Sequence, residues 1–136
     1  MDSGSFLRGE NTFTSVRERI DMTGERKCCV ILTTCSDKKE AEGLARLLVE
    51  QRLAGCVQIS AVTSLYEWEE EIQKDDECLL LIKARSDLYS EIEGVISGNH
   101  SYEVPEIIKI PIEDGLDAYL GWIDRVSRKE ALRRAP

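Results

Sequence analysis

The segment His100-Ser101-Tyr102-Glu103-Val104-Pro105-Glu106 holds the only histidine of the chain, with two glutamates, a tyrosine and a proline. Imidazole and carboxylate are ligand types for first-row metal ions. The segment follows a helix-like stretch and precedes the apolar, strand-like run Ile107-Ile108-Lys109-Ile110. Loops between regular elements commonly carry function. A structural reading stands beside the metal one. A proline at the start of a strand fixes chain direction, a tyrosine packs its ring and bonds through its tip, and a lone histidine is more often a hydrogen-bonding residue than a ligand. From residue types alone the structural reading outweighs the metal one.

The other chemistry-bearing groups are less pointed. Glu67, Glu69, Glu70, Glu71, Asp75, Asp76 and Glu77 form a dense acidic stretch. Carboxylates suit hard cations, but no EF-hand spacing is present, and a charged hairpin tip or guarded strand edge explains the run better. The five cysteines, Cys28, Cys29, Cys35, Cys56 and Cys78, contain no CxxC pair. With an odd count and no apolar segment opening the chain, they read as reduced thiols in a cytoplasmic protein. Cys28 and Cys29 are neighbours in a strand, so they face opposite ways. Cys56 and Cys78 are expected in the core. No glycine-rich phosphate loop and no nucleophile elbow appears.

At 136 residues the chain has the length of one domain. A formal charge of −8 disfavours a general nucleic-acid binder, because phosphate binding is carried mainly by clustered cations. The one basic cluster, Arg125, Arg128, Lys129, Arg133 and Arg134, reads as a solvated helix end. No run reaches membrane-spanning length. Residues 1–26 show no sustained period and read as a flexible extension, with Met22 as an alternative start. The folded domain is expected over residues 27–136.

The order of elements follows from periodicity. Residues 29–34 form an apolar, β-branched strand. Asp37 and Glu40 have the spacing of a capping box ahead of a helix whose stripe is Ala41, Leu44, Ala45 and Leu48, stopped at Gly55. Residues 56–66 and 72–83 form two strands joined by a hairpin at 67–71, with Asp75 and Asp76 marking a bulge or an exposed portion. A helix from Ser86-Asp87 carries Leu88, Ile92, Val95 and Ile96 on one face. A fourth strand spans 107–112, and a last helix spans 117–126. The order is β-α-β-β-α-β plus a helix, the α+β, ferredoxin-like pattern. Both long helices then lie on one face of a four-stranded antiparallel sheet. The final helix is too short to cover the other face, so a partner subunit is expected there.

Six sequence pieces carry a family resemblance. They are Thr33-Thr34-Cys35-Ser36-Asp37, Leu53-Ala54-Gly55-Cys56-Val57, Ser64-Leu65-Tyr66-Glu67-Trp68-Glu69, Leu80-Leu81-Ile82-Lys83, His100 through Ile107, and Tyr119-Leu120-Gly121-Trp122-Ile123. In this order and at this length they resemble the CutA divalent-cation tolerance family. The resemblance implies a stable, cytoplasmic homotrimer of ferredoxin-like subunits, with long strands reaching across to neighbours. It implies a role in the response to metal ions, with weak binding of copper or another divalent ion, no membrane or nucleic-acid partner, and no catalytic activity. His100, Glu103, Glu106 and Cys35 are the candidate metal ligands. Tyr66, Trp68, Tyr102, Pro105 and Trp122 are the candidate packing or trimer residues.

The chain departs from the family pattern in three places. Ser101 stands where the family has a proline. Thr33 and Asn99 stand where copper-binding members have a cysteine and an extra histidine, and both are weaker soft-metal ligands. Cys35 lies two residues from Thr33, on the same side of an extended chain. Two further readings remain: a small-molecule sensor with the trimeric architecture of the P-II regulators, and a structural interaction scaffold. The absence of a basic, glycine-rich loop weighs against phosphate ligands in the first.

Overall fold

The computed structural model describes residues 20–21 and 24–128. Most of the expected extension, Met22 and the basic tail beyond Arg128 lie outside the described residues. The elements are β1 (Cys28–Cys35), α1 (Lys38–Glu50), β2 (Ala54–Trp68), β3 (Glu71–Arg85), a 3-10 turn (Ser86–Leu88), α2 (Tyr89–Gly98), β4 (Ile107–Pro111) and α3 (Asp117–Val126). The sheet order is β2-β3-β1-β4, with every neighbouring pair antiparallel. This is the ferredoxin-like arrangement that the βαββαβ order predicts.

Strand alternation separates the two faces. On one, Cys29, Ile31, Thr33 and Cys35 of β1 and Leu80, Ile82 and Ala84 of β3 are buried. Ala41, Leu44 and Leu48 of α1 and Ile92 and Ile96 of α2 close over them. On the other face α3 covers one end only, where Leu120 and Ile123 pack with Cys28. Gly55 is required there, because a Cβ would stand 3.3 Å from the Ile123 Cα. The remainder of that face is open, and Ile108 and Ile110 are exposed on it.

β2 and β3 outrun the rest of the sheet. The last β1 residue, Cys35, pairs with Cys78, whereas β2–β3 pairing continues from Cys78 out to Trp68 opposite Glu71. Residues 62–77 therefore form a two-stranded arm. Leu65, Trp68 and Ile72 on it are more than 60 % exposed, which an isolated ribbon does not support in water.

Several local expectations are corrected. Asp37 accepts from the Glu40 N–H at 2.8 Å, but the Glu40 carboxylate returns to Ser36 and not to Asp37. The first helix stops at Glu50, well before Gly55, and Arg52 takes the left-handed conformation at φ 58°. Of the two readings of Asp75 and Asp76, the exposed portion holds and the bulge does not: both are exposed, pairing runs regularly through them, and the register shift falls between Ala54 and Cys56. The turn carries two left-handed glutamates, Glu69 (φ 52°) and Glu70 (φ 66°). Such a turn favours Asn-Gly, so glutamate hides it from sequence reading. Cys56 and Cys78 are half-buried, and of the two only Cys78 packs against the core cluster. Arg128 is not a solvated helix end, since its guanidinium donates to Glu91 and its backbone N–H to Arg52 O.

Candidate functional site

The His100 segment connects α2 to β4 and lies across the end of β1. Tyr102 N–H donates to His100 Nδ1 at 3.1 Å, so Nδ1 is an acceptor and Nε2 carries the hydrogen. Nε2 then donates to the Thr34 carbonyl at 2.8 Å. The two rings stack in a tilted arrangement with centroids 4.9 Å apart. Tyr102 Oη donates to Glu77 Oε2 at 2.7 Å, tying the loop to β3. Burial, then the bond to Glu77, holds the Tyr102 phenol well above its ordinary value.

Glu40 fastens the other side. One carboxylate oxygen accepts from Ser36 N–H and Oγ, at 3.1 and 3.2 Å, and the other accepts from Ser101 N–H at 2.8 Å. Desolvation pushes its carboxyl up, but the bonds from Ser101 and Ser36 outweigh that and lower it. Glu40 was absent from the expected site. It joins the start of α1 to the His100 loop, a contact no local pattern displays.

Beside this loop lies a cleft of about 540 Å³, bounded by the arm, the end of β1 and the segment before β4. Its walls include Thr34, Tyr66, Trp68, Asp75, Glu77, Tyr102 and Glu106. Tyr66 Oη donates to Asp75 in a short hydrogen bond, and that bond above all raises the Tyr66 phenol. The cleft thus combines three aromatic rings with three carboxylates. Gln73, Asp75 and Glu77 recur at spacing two on β3, and Tyr66 sits opposite Gln73 on β2. That alternation is the sequence signal for the cleft, and the neighbouring Lys74 and Asp76, which point to the other face, obscure it.

The four candidate ligands are placed differently. Glu106 lines the cleft. Glu103 is exposed on the loop, and Pro105 is half-buried beside it. His100 has both ring nitrogens engaged within the chain. Cys35 is fully buried on the helix side of the sheet, and burial with nearby Glu40 pushes its thiol up to about 12. Among the described residues, no three His, Cys, Asp or Glu side chains cluster so as to hold a metal ion. Cys35 thus lies in the core and His100 is bonded to Thr34 and Tyr102, so neither is among the residues that line the cleft with Glu106. Thr33 is buried with its hydroxyl unpaired, and Asn99 Nδ2 donates to Val95 O at 2.8 Å. Of the packing residues, Tyr66 and Trp68 lie exposed on the arm, while Trp122 packs against Tyr119 at 5.8 Å between ring centroids.

Comparison with known proteins matches the same span. The family model described as CutA1 divalent ion tolerance protein matches residues 29–126. Protein CutA of Mus musculus is 42% identical over 95 residues, which are 69% of this chain and 54% of that protein. The chain therefore spans about half the length of that curated relative. The divalent-cation tolerance protein CutA of Thermus thermophilus is 39% identical over 95 residues, covering 69% of this chain and 92% of its own. The crystal structure of CutA1 from Oryza sativa superimposes with a TM-score of 0.74 at 35% identity, covering 76% of this chain and 96% of that one. The family-model match over residues 29–126, with a relative and a solved structure alike over more than two thirds of the chain, places this chain in the CutA1 divalent ion tolerance protein family.

Proposed function

We propose that the chain works as a homotrimeric divalent-cation tolerance protein in a reducing compartment such as the cytoplasm, with the acidic cleft as its cation site. The observation that carries this reading is the cleft itself, where Glu106 stands beside the tethered pairs Tyr66–Asp75 and Tyr102–Glu77. Oxygen donors of this kind suit hard divalent ions, while copper prefers nitrogen and sulfur and is held weakly here. Too few ligands converge within one chain, so the binding geometry is completed by a neighbouring subunit across the open sheet face and the arm. The apolar residues exposed there supply the reason to associate. Five free thiols support the reducing compartment.

The test is metal titration by calorimetry on chelator-treated protein. Saturable binding of a divalent ion, weakened at least tenfold by Glu106→Gln and unchanged by Glu103→Gln, supports the reading. Equal affinity in Glu106→Gln removes the cleft as the cation site.

One observation favours a second reading. A cleft of about 540 Å³ with aromatic walls has the size of a small-molecule site and far exceeds one ion. A trimeric small-molecule sensor is the alternative, with an organic cation as its ligand chemistry. Thermal stabilisation by an organic cation with no response to metal ions favours this second reading.

A further inference from the structure

Cys35, the last residue of β1, lies directly opposite Cys78 of β3 in the antiparallel register. Residues so paired share one face of the sheet. The burial agrees, because Cys35 is fully buried and Cys78 half-buried in the same apolar cluster under the helices. Directly opposed residues have Cβ atoms about 4.5–5.5 Å apart, and a disulfide needs about 3.5–4.5 Å. The remaining ångström or so can come from Cys35, which ends its strand and runs into the Ser36-Asp37 turn. The other cysteines lack such a partner. In register, Cys28 faces Arg85, Cys29 faces Ala84 and Pro111, and Cys56 faces Lys83.

We propose that Cys35 and Cys78 form a reversible disulfide, a redox modification site on the reverse side of the sheet from the cleft. Cys78 is the accessible member. Its thiolate attacks one sulfur of a small-molecule disulfide such as oxidised glutathione, forming a mixed disulfide and expelling one glutathione thiolate. The Cys35 thiol then gives its proton to solvent, and its sulfur attacks the Cys78 sulfur, expelling the second glutathione thiolate. Two protein thiols lose two electrons, and one glutathione disulfide becomes two thiols. Burial and the neighbouring Glu40 disfavour the Cys35 thiolate, so the reduced state has no stabilised thiolate to favour it, unlike strongly oxidising dithiols. The bond would clamp β1 to β3 beneath Thr34 and Glu77, the groups that hold His100 and Tyr102. Oxidation thereby fixes one wall of the cleft.

The experiment treats the full chain, under native conditions, with oxidised glutathione. The protein is then unfolded in guanidinium chloride, the remaining thiols are alkylated, and tryptic peptides are mapped without reduction. The expected result is loss of two of the five alkylatable thiols. Peptides 28–38 and 75–83 should be joined, with fragmentation placing the link at Cys35 and Cys78. Cys78→Val, which keeps apolar bulk at a half-buried position, should abolish the link. Dithiothreitol should restore all five thiols. A Cys78 that carries glutathione while Cys35 stays free overturns the proposal. So does a link at Cys28 or Cys29, or one between two chains.

Discussion

Glu40 shows how one side chain can hold a site that sequence spacing does not reveal. The Asp37–Glu40 spacing pointed to a helix cap, and the cap is present at the Asp37 end. The Glu40 carboxylate also crosses to Ser101, sixty-one residues away, and no local pattern encodes that. Glu40→Ala should destabilise the fold by about 1–2 kcal/mol, the cost of leaving bonded backbone donors unpaired. Urea unfolding measures it. The folded carboxyl lies below its unfolded value of 4.5. Its contribution is therefore present above pH 4.5 and lost as pH falls through the lower, folded value. The difference between wild type and Glu40→Ala should shrink in acid. A difference that persists well below that range contradicts the account. His100 was legible as the centre of its loop. Its engagement with Thr34 and Tyr102 was not, because imidazole as ligand and imidazole as hydrogen-bonding residue look alike in sequence.

Residues with protonated groups favoured by folding give the opposite pH dependence. Burial pushes the Cys28 thiol up to about 11 and the Cys35 thiol up to about 12, against 9.0 when unfolded. Both folded values exceed the unfolded ones. The stability they contribute is full below pH 9 and is lost as pH rises from 9 toward 12. Thermal unfolding should show a falling midpoint across that window, and replacing Cys28 by alanine should flatten the decline. A flat midpoint up to pH 11 contradicts the burial of these thiols.

At the scale of elements, the strands and helices were legible because apolar residues recur at the expected periods, as in Ala41, Leu44 and Leu48. The punctuation was not. Glu69 and Glu70 both adopt positive φ, a conformation that asparagine and glycine take at lower cost. Replacing Glu69-Glu70 by Asn-Gly should stabilise the protein by roughly 0.5–1 kcal/mol, read from the urea midpoint. No gain, or a loss, would show that the glutamates have a compensating role at the tip. Gly55 did not stop a helix, because Arg52 already takes the left-handed position. Its role is close approach, with α3 resting on β2. Gly55→Ala should cost about 1–3 kcal/mol by overpacking against Ile123, whereas Gly43→Ala, with open space around its Cβ, should not destabilise.

For the whole molecule, the decisive feature is what one chain leaves uncovered. α1 and α2 close one face of the sheet; α3 closes one end of the other. Ile108 and Ile110 on the open face, with Leu65, Trp68 and Ile72 on the projecting arm, are exposed. The sequence made the shortage of covering elements legible, since one short final helix cannot cover a four-stranded sheet. The arm was not legible, because its length beyond β1 depends on strand register. Ile110→Lys sits at an exposed position within one chain and should leave helix content unchanged. On the proposed homotrimer it should reduce the solution mass from three chains to one by light scattering. An unchanged trimer mass would place the subunit interface elsewhere.

The central claim is that a divalent cation binds in the acidic cleft through Glu106. Anomalous diffraction from crystals soaked in a manganese salt tests it most directly. The account predicts one strong peak per subunit in the cleft, within about 2.0–2.6 Å of a Glu106 carboxylate oxygen, the range for oxygen ligands of hard divalent ions. A peak on His100 or Cys35, a peak at the arm's tip, or no peak at saturating metal would contradict it.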